Sequence, residues 1–114
     1  MRVTSDLWVS ALLRRAFGEG GFGAVLRRGG DSAGAIFIVT RDRMGEATLY
    51  GPAPQTGYDD ARPDDRLFVE LMRTADEARI DERLAKESRF DPDLWLVEIE
   101  PGRPDADLFP LMKP

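Results

Sequence analysis

Apolar and polar residues recur along this chain with two different periods, and the changes of period predict seven elements. Over residues 5–17, Trp8, Ala11, Leu12 and Ala16 repeat at steps of three and four, with Leu7 and Leu13 widening the stripe. That spacing predicts an amphipathic helix. Ser5 stands where a side-chain oxygen caps free N–H groups, Asp6 meets the positive end of the helix dipole, and Arg14 and Arg15 meet the negative end. Gly18 is expected to end this helix as a left-handed cap. Downstream the period shortens. Residues 24–27 read as a short strand, 34–40 as the strongest strand, and 46–50 as its hairpin partner across a turn at 41–45. Gly45 supplies the positive φ that such a turn requires. The apolar run 35–39 marks a central strand covered on at least one face.

Residues 66–72 read as a further strand. Thr74-Ala75-Asp76-Glu77 is a capping box that opens a second helix, running to about Ser88 and anchored by Ile80 and Leu84. Glu82 and Lys86 add a favourable i,i+4 pair. Phe90-Asp91-Pro92-Asp93 stops it. Residues 94–100 then alternate as a last strand, Leu94, Leu96 and Glu98 on one side and Trp95, Val97 and Ile99 on the other. The order is α-β-β-β-β-α-β. It predicts an α+β class: one small domain over residues 1–100, a mostly antiparallel sheet of four to five strands, and two helices packed on one face. Residues 101–114 form a proline-rich tail expected at or near the surface. The connection 51–65, rich in Pro, Gly and Asp, is long enough to be functional or mobile.

Composition narrows the chemistry. The chain has 114 residues, room for one core, and neither cysteine nor histidine. Thiolate and imidazole catalysis, disulfides and ordinary zinc or copper sites are therefore outside its means. The formal net charge of -5 argues against a nucleic-acid binder. Charge is uneven: residues 1–45 hold seven Arg against four Asp/Glu, whereas 46–114 hold nine Lys/Arg against 17 Asp/Glu. One end can pair with the other in a homodimer, a basic patch can face an anion, or the two halves can intermix their charges on one surface. No apolar run approaches the ~20 residues of a membrane span and no secretory or lipidation signal is seen, so a soluble cytoplasmic protein is expected.

Few motifs carry chemistry. Gly18-Glu19-Gly20-Gly21-Phe22-Gly23 matches G-x-G-x-x-G, but a helix precedes it and a strand follows, the reverse of a dinucleotide fingerprint. A kinase loop would need a nearby lysine, and the next lysine is Lys86. No cofactor is expected. Asp59, Asp60, Asp64 and Asp65 lack the spacing of a calcium loop, so no metal site is assigned. Ser10 and Ser32 have no activating base, and no catalytic residue is named. Glu70, Glu98 and Glu100 are strand carboxylates that a glycosidase-like pair would need ~5 to 10 Å apart. Arg27 and Arg28 beside Gly29-Gly30 can hold a phosphate or carboxylate, with Arg41 and the ring edge of Tyr50 as further contacts.

Ser5-Asp6-Leu7-Trp8-Val9, Arg27-Arg28-Gly29, Gly34-Ala35-Ile36-Phe37, Leu49-Tyr50-Gly51-Pro52-Ala53-Pro54 and the block from Phe90 to Glu100 together resemble a family of short bacterial proteins. That family, mostly alphaproteobacterial, is catalogued as a domain of unknown function. The resemblance spans about residues 2–100 and implies a bacterial, cytoplasmic protein without supplying an activity. Three functional classes follow from the residues: a non-catalytic protein-interaction or homodimerisation module, a small-anion or nucleotide-binding domain on Arg27, Arg28, Arg41 and Tyr50, and a carboxylate-based enzyme.

Overall fold

The computed structural model describes residues 3–54, 66–103 and 107–112. Its elements run α1 (Ser5–Gly18), β1 (Phe22–Arg27), β2 (Ile36–Arg41), β3 (Ala47–Pro52), β4 (Phe68–Thr74), α2 (Glu77–Phe90) and β5 (Trp95–Glu100). This is the predicted α-β-β-β-β-α-β order of an α+β fold. The four aspartates of the long connection lie outside the described residues.

The sheet has the strand order β1-β5-β2-β3-β4. Neighbours are antiparallel except β2 and β5, which run parallel. Strands β2, β3 and β4 follow one another as neighbours. Asp42 turns the first hairpin by accepting from the N–H groups of Met44 (2.9 Å) and Glu46 (3.0 Å), and Gly45 takes φ +85°. After β4, α2 carries the chain back so that β5 inserts between β1 and β2.

Side chains alternate between two cores along β2 and β5. Ile36, Ile38, Trp95, Val97 and Ile99 join Val9, Leu12 and Ala16 of α1. Phe37, Val39 and Leu94 join Ala47 and Leu49 of β3 and Ile80 of α2. Successive strand residues point to opposite faces, so the two helices cover opposite faces of the sheet rather than the single face expected. The reason lies in β2. Ile36 to Val39 are all 5% exposed or less, and four consecutive apolar residues leave water only when both faces are covered.

Helix α1 buries Ser5, Val9, Leu12 and Ala16. Trp8 and Leu13 sit at the margin of the core, and Leu7 is turned outward at 59% exposed. The cap also differs from expectation. Thr4 is extended and its Oγ1 accepts from Leu7 N, while the buried Ser5 hydroxyl donates to Gly34 O at 3.0 Å. Gly18 stays helical, and the left-handed residue is Gly20 at φ +83°. Helix α2 is capped by Asp76, which accepts from Ala78 N, and Thr74 in turn accepts from Asp76 N. The predicted box thus starts the helix two residues later than its first threonine. Only Ile80 is buried along α2, with Leu84 half-buried against the same core.

At the end of α2, one Asp91 carboxylate oxygen accepts from Ala35 N at 2.7 Å and the other from Asp93 N at 3.0 Å. Asp91→Ala leaves a half-buried N–H at the entrance to β2 without its acceptor. We expect a loss of about 1–3 kcal/mol, read as a lowered urea midpoint with an unchanged m-value. The tail contributes to packing: Leu108 is 5% exposed in the α1-side core. Beyond it, Phe68 N donates to Pro110 O and Met112 N to Phe68 O, so the chain runs beside the start of β4.

Candidate interaction surface

The arginine-rich turn is folded into a corner of the sheet. Arg27, last in β1, donates to Pro92 O at 3.1 Å. Arg28 donates to Asp6 (3.2 Å) and Asp31 (3.0 Å), and its guanidinium lies 5.0 Å above the Trp95 ring. Trp95 Nε1–H donates to Gly30 O at 2.9 Å. Arg28 therefore ties the first turn of α1 to the turn after β1 and the start of β5.

Arg41 sits elsewhere. Ile36 is level with Trp95 and Thr40 with Ile99, so about 17 Å of strand separates Arg41 from the Trp95 corner. There Arg41 bridges the carboxylates of Glu98 and Glu77, fastening the first turn of α2 to β5. Tyr50 packs on the opposite, α1-side core, edge-on to Phe109 at 5.1 Å. Of the four candidate contacts, only Arg27 and Arg28 are brought together. Glu70 lies on β4, three strands from β5, or roughly 14 Å away at the usual strand spacing. Glu98 and Glu100 share one face of β5, but Glu98 is held by Arg41.

The two sheet edges differ sharply. On β4 the exposed positions are Glu70 and Arg73. Arg73 donates to Glu70 at 3.0 Å, and that hydrogen bond and charge, with Glu46 beyond, hold its guanidinium above its ordinary range. The tail covers the start of this strand. On β1, Phe22 is 49%, Val25 37% and Leu26 50% exposed, and Phe17 of α1 stands edge-on to Phe22 at 5.8 Å. Among the described residues nothing pairs with the outer side of β1.

Glycines at the start of β1 and just before it make this edge possible. A Cβ on Gly23 would lie 2.6 Å from Leu13 Cδ2, and one on Gly21 would lie 2.4 Å from Glu100 O. Gly21 and Gly23 thus let the end of β5 and α1 close onto β1. The missed signal was the crowding of Phe17, Phe22, Val25 and Leu26 into ten residues around a glycine connector, too short a stretch to turn every side chain inward.

A shallow open groove of about 420 Å³ lies between Trp8 and Arg15 of α1, Arg66, and tail residues Asp107 to Pro110. Its wall mixes two guanidiniums with one carboxylate. Among the described residues, no group of three or more Asp or Glu side chains is placed to hold a metal ion. No described helix is long and apolar enough to cross a membrane.

Comparison with known proteins agrees on one family. Residues 3–108 match the family model described as "Protein of unknown function (DUF1491)". No curated protein matches the chain. A solution structure of a protein from Agrobacterium tumefaciens is 43% identical, with a TM-score of 0.82 over 100% of this chain and 98% of that one. A crystal structure of a DUF1491 family protein from Caulobacter crescentus is 34% identical, with a TM-score of 0.74 over 99% of this chain and 100% of that one. An NMR structure of a DUF1491 family protein from the same organism gives the same identity and TM-score over 99% of each chain. The chain therefore belongs to the DUF1491 family.

Proposed function

We propose that this chain is a non-catalytic protein-interaction module of the bacterial cytoplasm, and that its contact surface is the open β1 edge. One observation carries this reading: among the described residues, the edge that the tail and the Glu70–Arg73 pair leave bare is the apolar one. Unpaired strand N–H and C=O groups beside half-exposed Phe, Val and Leu side chains suit the addition of another chain's strand. The small-anion alternative has less behind it, because carboxylates already accept from Arg28 and Arg41.

Leu26→Glu tests the reading. The side chain is half exposed, so its replacement is expected to alter stability by no more than ~0.5 kcal/mol. Immobilised wild-type protein in a nuclease-treated alphaproteobacterial extract should retain a stoichiometric protein that the Leu26→Glu variant releases. Equal capture by both proteins defeats the proposal for this edge, and so does capture by neither when the wild-type chain also stays monomeric.

A further inference from the structure

Resting on that reading of β1, we propose that the edge takes a second copy of this chain, through antiparallel pairing of β1 with itself about a two-fold axis at Ala24. Such an axis stands perpendicular to the sheet, so opposed residues of the two copies share a face. Within each copy, Phe22 and Ala24 pair with Glu100 and Glu98, and Gly23 and Val25 pair with Ile99 and Val97. Val97 and Ile99 face α1; Glu98 faces α2 through Arg41 and Glu77. Centred on Ala24, the register sets Phe22, whose ring stands against Phe17, opposite Leu26 of the other copy. On the α1 side it sets Val25 opposite Gly23. Large side chains then meet either an apolar partner or a glycine, and Ala24 meets itself at the axis.

Charge fits the same register. The register shift between Val25 and Arg27 brings Arg27 level with Leu96, just beyond Leu26. In the dimer Arg27 therefore arrives past Phe22 of the other copy, beside the exposed Glu100 that pairs with that Phe22. Arg27 donates to Pro92 O through one nitrogen, and a guanidinium carries five N–H donors. Each copy thus offers a carboxylate at one end of β1 and a guanidinium at the other, and antiparallel pairing joins unlike ends twice.

The area sets the size class. Half of Phe17, Phe22 and Leu26 and a third of Val25 remain exposed, on the order of 300 Å² of side chain per copy. A standard interface buries ~800 Å² per partner. Main-chain pairing must supply the remainder, so the contact sits at the small end of specific interfaces.

Sedimentation velocity of the wild-type chain from ~1 µM to ~1 mM should show a monomer–dimer exchange that Leu26→Glu weakens at least ~tenfold. The register is tested by two doubly substituted chains, Phe22→Lys/Leu26→Lys and Phe22→Glu/Leu26→Glu. Each alone should be monomeric, and their mixture should form a one-to-one dimer, because each Lys then faces a Glu. Should the double variants fail to fold, the half-exposed Leu26→Glu variant decides the matter by itself. A wild-type chain that stays monomeric throughout, or dimers indifferent to Leu26→Glu, overturns the second-copy proposal. If a monomeric wild type still captures another protein through Leu26, the interaction reading stands without self-pairing; if neither association is found, both fall.

Discussion

Trp95→Ala is expected to lower the unfolding free energy by about 4–5 kcal/mol, from the loss of a fully buried aromatic and of the contacts that lock it. The ring is 1% exposed within the α1-side core. Its N–H donates to Gly30 O, and Arg28 covers its outer face. No smaller residue can fill the site by sliding, because both flanks are fixed: Trp95 N donates to Ala35 O, and Gly30 N donates to Asp93 O. Total stability for a domain of this size is ~5–15 kcal/mol, so this variant should be close to unfolded at moderate temperature. Trp95→Phe separates the two causes. It keeps most of the ring and removes the donor to Gly30 O, for an expected loss of about 1–3 kcal/mol. Urea titration of the three proteins checks both figures, and a Trp95→Ala loss below ~2 kcal/mol is incompatible with the core position described.

The local elements were legible because each rests on short-range chemistry. Asp42 and Gly45 turn their hairpin through their own side chain and backbone. Thr74 and Asp76 order the start of α2 locally, although the cap falls on Asp76 and not on the first residue of the box, and the alternation from Leu94 to Ile99 is a property of one strand. What escaped depends on partners distant in sequence. Nothing within β5 states that it lies between β1 and β2, or that it runs parallel to β2. Leu7 and Val9 are equally apolar, and only the docking angle of α1 decides that Val9 is buried and Leu7 exposed. The placement of the helices on opposite faces was in principle readable, since the run Ile36-Phe37-Ile38-Val39 has no polar side.

The candidate site was legible as residue types but not as a site. Arginines chosen for their capacity to hold anions are mostly satisfied within the fold. Arg28 is taken by Asp6 and Asp31, Arg41 by Glu77 and Glu98, and Arg27 donates to Pro92 O. Arg41 joins the basic half of the sequence to two carboxylates of the acidic half, so part of the charge asymmetry along the chain is offset across it. What remains for a partner is apolar surface and strand backbone. This is why we centre the proposed interaction surface on Phe22 to Leu26 rather than on Arg28 and Arg41.

Gly34→Ala and Gly45→Ala should differ by several kcal/mol, although both glycines have positive φ, +116° and +85°. At Gly45 a Cβ meets nothing within 4 Å. The substitution there adds only the strain of a left-handed conformation, about 1–2 kcal/mol. At Gly34 the Cβ would lie 2.1 Å from Asp93 O and 3.0 Å from Asp93 C. Those are backbone atoms, and they cannot step aside cheaply. Asp93 O accepts from Gly30 N, Asp93 N donates to Asp91, and Gly34 O accepts from the buried Ser5 hydroxyl. Relief therefore pulls the segment between β1 and β2 away from both α1 and the start of β5, releasing hydrogen bonds worth ~1 kcal/mol each on top of the strain. The expected loss is at least ~4 kcal/mol for Gly34→Ala, against ~1–2 kcal/mol for Gly45→Ala. Parallel urea titrations measure the difference directly. Equal losses would mean that the approach of Gly34 to Asp93 is not a feature of the folded protein, and with it the packing of the Arg28–Trp95 corner would have to be redrawn.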